Sequence, residues 1–95
     1  MSKRFDPYHA WLGIPAAEQP PNHYRLLGVS LFESDADVIQ NGLDQRLAHL
    51  RSFATGPHGA VSQRLLTEVS QAGVCLLRPE QKQVYDQRLR STLGA

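Results

Sequence analysis

Two apolar stripes of helical period, set on either side of a glycine- and proline-containing break, constrain this chain more than any other feature. Ile39, Leu43, Leu47 and Leu50 recur at intervals of four, four and three, so they share one face of a helix. Val61, Leu65, Leu66, Val69, Ala72, Gly73 and Leu76 share a face of a second. Between them, Ala54-Thr55-Gly56-Pro57-His58-Gly59 interrupts the helical pattern. A short break makes the two rods antiparallel neighbours, and each stripe is the natural partner of the other. Ser34 and Asp37 read as a capping box opening the first rod, which extends to about residue 53; the second covers residues 60–77. Gly42 lies inside the first rod. It costs ~1 kcal/mol there relative to alanine, a cost that makes sense if another backbone packs closely against it.

Shorter segments flank the rods. Asn22 caps a helix that ends at Gly28, and Pro79 starts a last helix whose apolar side is Val84, Tyr85 and Leu89. Ahead of them, Asp6 and Pro7 open a one-to-two-turn helix that Gly13 closes. Phe5, Tyr8, Trp11, Leu12 and Ile14 crowd this stretch. A helix that short does not persist alone, so its aromatics are expected to pin it to the rest of the chain. Pro15, Pro20 and Pro21 predict an extended, polyproline-like connector. The expected fold is all-α: a helical hairpin between short first and last helices, preceded by a short amino-terminal helix. Residues 1–21 form an arm and residues 22–91 the helical unit.

Composition excludes several roles. Ten basic and nine acidic side chains leave a net charge of +1 in 95 residues, so no domain-wide basic field draws nucleic acid or membrane. No apolar run is long enough to span a bilayer, and the charged start has no signal-peptide core. Cys75 is the only cysteine, so no internal disulfide forms, and it reads as a small buried hydrophobe. A cytoplasmic setting follows. His9, His23, His49 and His58 lack paired ligand spacing, so no metal is expected. No nucleophile elbow or phosphate-loop spacing is present, so neither enzymatic activity nor a cofactor is expected.

The ordered set Tyr24-Arg25-Leu26-Leu27-Gly28-Val29, then Leu66, Val69, Ala72 and Leu76, then Tyr85-Asp86 resembles a DnaJ-type J domain over about residues 22–90. Tyr24, Leu27, Gly28, Ala72, Leu76, Tyr85 and Asp86 carry the resemblance as its fold signature. The family's activity rests on a His-Pro-Asp tripeptide between the two long helices, which stimulates ATP hydrolysis by a DnaK-class chaperone. Here Arg51, Ser52, Phe53 and Ala54 stand at that position. The family's second helix also presents a basic face, whereas this one sets Asp35, Asp37 and Asp44 against Arg46 and Arg51. The resemblance therefore implies a J-like scaffold without the trigger. The arm resembles amino-terminal modules of larger bacterial multidomain proteins, implying that this unit belongs to such a protein.

The expected function is a non-catalytic protein–protein interaction or scaffold module, with Tyr8, Trp11, Arg46, His49 and Arg51 as candidate partner-binding residues. A divergent cochaperone of a DnaK-class ATPase is the first alternative. The second is weak nucleic-acid binding through the last helix, where Arg78, Lys82, Arg88 and Arg90 gather.

Overall fold

A computed structural model describes residues 5–94; Ala95 and residues 1–4, the charged start of the arm, lie outside the described residues. The chain runs through α1 (Pro7–Leu12), a 3-10 turn (Ala16–Glu18), α2 (His23–Leu27), α3 (Ala36–Arg51), α4 (Gly59–Leu77) and α5 (Pro79–Gly94). All regular structure among the described residues is helical. No helix among them is long and apolar enough to cross a membrane.

The stripes pair as their spacing predicts. Ile39, Leu43 and Leu50 of α3 and Leu65, Val69 and Leu76 of α4 are buried. Leu43 meets Gly73, and the Ser62 hydroxyl donates to the Leu50 carbonyl, so the rods run antiparallel. Ser62 is fully buried and Val61 only half-buried, which corrects the apolar face read for α4 at its first turn. The buried hydroxyl is satisfied there because the Leu50 carbonyl has a second lone pair to offer beside the one that accepts from the Phe53 N–H.

The ends of the elements explain their bounds. Asp6 Oδ1 accepts from the His9 N–H, and Asn22 Oδ1 from the Arg25 N–H, so both short helices carry side-chain caps. Gly28 turns left-handed at φ 74° to close α2. The capping box of Ser34 gives way to Asp35, whose carboxylate accepts from the Asp37 N–H at 2.9 Å. Phe32 adopts φ 61° and Glu33 accepts from the Asp35 N–H, so the chain enters α3 one residue later than Ser34 would place it.

Two further expectations change. The last helix is not short: α5 has 16 residues, as many as α3, because no proline follows Pro79 to stop it. Val84 faces outward at 50% exposure, while Tyr85 and Leu89 pack on the core. The connector is not a uniform extended rod either. It contains the 3-10 turn and a cis Gln19–Pro20 peptide, and Gln19 Nε2 donates back to Asp6 and to the Ile14 carbonyl. These bonds fold the connector against the arm.

The arm shares the core of the hairpin. Ile14 is fully buried and Leu12 nearly so, in the same cluster as Leu27, Leu50 and Leu65. α2 packs chiefly on α4 and more lightly on α3. The signature residues tie α2 to α5: the Tyr24 hydroxyl donates to Asp86, and the His23 N–H donates to the Tyr85 hydroxyl at 2.8 Å. That N–H is one of the unpaired donors at the start of α2. The rings of His23 and Tyr85 stack at 4.1 Å.

Candidate functional site

The carboxyl ends of α1 and α2 both point at one side of α3, and this convergence builds the site. Arg46 Nε donates to the Leu26 carbonyl at 3.0 Å, and Arg46 Nη2 to the Leu12 carbonyl at 3.5 Å. Helix carboxyl ends carry partial negative charge, so a guanidinium is favoured there. Gly28 leaves room for it: a Cβ at that position would lie 2.9 Å from Arg46 Nη2. One turn on, His49 Nε2 lies 2.9 Å from the Trp11 carbonyl, which can only accept, so Nε2 is the donor. Gly42, Arg46 and His49 thus form a polar stripe at helical spacing that faces the short helices. The expected close approach at Gly42 is present: a Cβ would meet Val29 at 2.7 Å and the Leu27 carbonyl at 2.8 Å.

Between these elements lies an open cleft of about 350 Å³, lined by Trp11, Leu27, Gly28, Gly42, Gln45, Arg46 and His49. No lining residue carries a carboxylate. No acidic group lies within ion-pair distance of Arg46 among the described residues. Burial, with the nearby Arg25 cation second, pushes the Arg46 guanidinium below its usual pKa. Arg25 itself pairs with Glu18 at 3.1 Å and reaches the Gly13 carbonyl at 3.3 Å.

A second feature adjoins the cleft at the turn between α3 and α4. Trp11 stacks on Phe53 at 4.2 Å and 9°, and Phe5 stacks on His58 at 4.0 Å and 11°. Phe5 and Trp11 meet edge to face at 5.2 Å, as do His49 and Phe53. The residues standing at the tripeptide position therefore have specific jobs. Phe53 is half-buried beneath Trp11, Ser52 Oγ donates to the His49 carbonyl, and Arg51 and Ala54 are exposed.

The five candidate partner-binding residues divide accordingly. Trp11, Arg46 and His49 come together in the cleft. Tyr8 of α1 points away from the cleft to α4, where its hydroxyl donates to Glu68 at 2.6 Å; burial first, and Glu68 second, push its pKa up to about 12. Arg51 borders a separate polar groove between α3 and α4. Tyr8 and Trp11 pin the arm, as expected of a helix too short to stand alone. Glu68 and Gln45 went unread in the sequence. Glu68 gave no local signal, because its partner is sixty residues away, whereas Gln45 is four residues before His49 and was legible as part of the same face.

Elsewhere, Lys82 pairs with Asp86 at 2.8 Å and Arg90 lies over the Phe32 ring at 4.6 Å, so two of the four carboxy-terminal cations are engaged within the domain. Burial raises the Cys75 thiol, whose sulfur is 3.9 Å from the Gln81 carbonyl. The described residues hold no group of three or more His, Cys, Asp or Glu side chains arranged to bind a metal. Protein-family models, curated proteins and solved structures yield no match to this chain.

Proposed function

We propose that this chain is a non-catalytic protein–protein interaction module built on a degenerate J-domain scaffold, working in the cytoplasm. The observation that carries the reading is the stack of Trp11 on Phe53. At the position where a J domain holds its chaperone trigger, this chain holds an aromatic ring, and a tryptophan from outside the J-like unit covers it. An imidazole–carboxylate arrangement at the turn would speak for cochaperone activity. The residues there are instead Arg51, Ser52, Phe53 and Ala54.

The charge on α3 supports the same reading. It carries Asp37 and Asp44, and of its two arginines Arg46 turns inward toward the short helices. Only Arg51 is left to face an acidic partner from the outer side, too little to steer encounter with one.

The test is ATP turnover by a DnaK-class chaperone from the same organism, measured with and without this domain. Turnover is expected to stay at its basal rate over a range of low-micromolar domain concentrations. Clear stimulation overturns the reading in favour of a divergent cochaperone.

A further inference from the structure

Arg46 makes its two structural bonds through Nε and Nη2, which lie along one edge of the guanidinium. Nη1 makes no hydrogen bond to the described residues, and no buried side-chain nitrogen or oxygen among them lacks a partner, so Nη1 is not a buried, unpaired group. Arg46 is among the residues that line the 350 Å³ cleft. Gln45 adds an exposed side-chain amide with no hydrogen-bond partner among the described residues, whereas His49 spends its Nε2–H on the Trp11 carbonyl and only borders the space. Three nitrogen-bearing side chains therefore border a space with no carboxylate in its lining. No acid lies within ion-pair distance of Arg46 among the described residues, whereas Arg25 is paired with Glu18.

We propose that this cleft is an oxyanion site that takes the phosphate group of a phosphorylated serine or threonine on a protein partner. A phosphate monoester brings about −1.5 to −2 charges and three acceptor oxygens, which suits a guanidinium and a side-chain amide with no carboxylate in the lining around them. The free edge of an arginine is the geometry that recognises such oxygens in pairs. The lining suits an anionic head rather than a whole small molecule, because Leu27 is buried and only Trp11 offers a large apolar side chain to the space, whereas pockets for complete ligands are predominantly apolar. The phosphate site stands on this geometry alone; its protein carrier rests on the interaction-module reading above.

The whole chain, labelled with nitrogen-15, is titrated with inorganic phosphate, with a phosphoserine peptide of neutral flanks, and with the same peptide unphosphorylated. Saturable shifts are expected for both phosphate probes at the Gly28, Gly42 and Gln45 amides, the Arg46 Nε–H and the Trp11 indole, and none for the unphosphorylated peptide. Gln45→Glu places a carboxylate beside Arg46 without removing any bond of the fold, and it abolishes these shifts while the Tyr24 and Tyr85 signals stay in place. Arg46→Lys keeps the charge but loses the planar fork, and it weakens binding. Absence of saturable shifts at the cleft overturns the site. Shifts that persist in Gln45→Glu also overturn it and mark an adventitious ion only. A phosphopeptide that binds no tighter than inorganic phosphate leaves the site standing and overturns the protein carrier. Chaperone stimulation, by contrast, sinks the interaction-module reading without touching the cleft.

Discussion

Single residues in this domain are mostly held by the charge state they keep. Burial alone would raise the Asp86 carboxyl, but the hydrogen bonds from Lys82 and Tyr24 outweigh it and leave the group below its ordinary value of 3.8. A depressed carboxylate contributes stability that is present above the unfolded-state value and is lost as pH falls through the folded one. Urea unfolding followed downward from neutral pH should therefore show an acid limb below about pH 4, and Asp86→Asn should remove most of it. His23 shows the opposite chemistry with the same direction. Burial against Tyr85 lowers its pKa from 6.5, so the unfolded chain takes up the proton first. Stability should begin to fall as pH drops through 6.5 and level off below the folded value. His23→Phe, which keeps the stack on Tyr85, should flatten the stability profile in that window. A profile unchanged by the substitution would show that the imidazole is no less free to charge than in the unfolded chain.

At the scale of elements, close approach decides which glycines matter. Alanine is the better helix former by ~1 kcal/mol, so Gly→Ala inside α3 or α4 would stabilise the fold if space allowed. At Gly42 the added Cβ would meet the Leu27 carbonyl at 2.8 Å, and backbone cannot swing away. At Gly73 it would meet the Leu43 methyls at 2.6 Å, which are the far end of a flexible side chain. Gly42→Ala should therefore cost about 1–3 kcal/mol in urea unfolding, and Gly73→Ala clearly less. Equal losses would mean that Leu43 is as immovable as the backbone. The same reasoning covers the turn from α2 to α3. Phe32 holds a left-handed conformation that costs an ordinary residue roughly 1–2 kcal/mol, offset by its ring packing against Tyr24 and beneath Arg90.

For the molecule as a whole, the arm acts as a clasp. Its bonds land on α3 through Arg46 and His49, on the turn through Phe53 and His58, and on α4 through Glu68. It therefore ties together the three parts of the hairpin tip, whose residues 52–58 have no regular structure of their own. Trp11→Ala should speed amide exchange across residues 52–58 while leaving α2 and the α4–α5 contact protected. Exchange that rises uniformly would show instead that Trp11 supports global stability alone. Ile14 anchors the clasp to the core, and Ile14→Ala should cost about 2–5 kcal/mol, as truncations of buried aliphatic side chains do, measured by thermal or urea unfolding.

The sequence by itself determined the helices, their caps and the antiparallel pairing, because a 3.6-residue apolar period and the chemistry of Asp6, Asn22, Gly28 and Pro79 are local properties of the chain. It also marked Trp11, Arg46 and His49 as residues of interest. Only the tertiary structure decided that these three meet in one cleft, that Phe53 lies under Trp11, and that Tyr8 reaches Glu68. The outward turn of Val84 belongs to the same class. The physical reason is separation along the chain: a contact between residues 38 or 60 positions apart is set by how whole helices pack, and no local pattern encodes it.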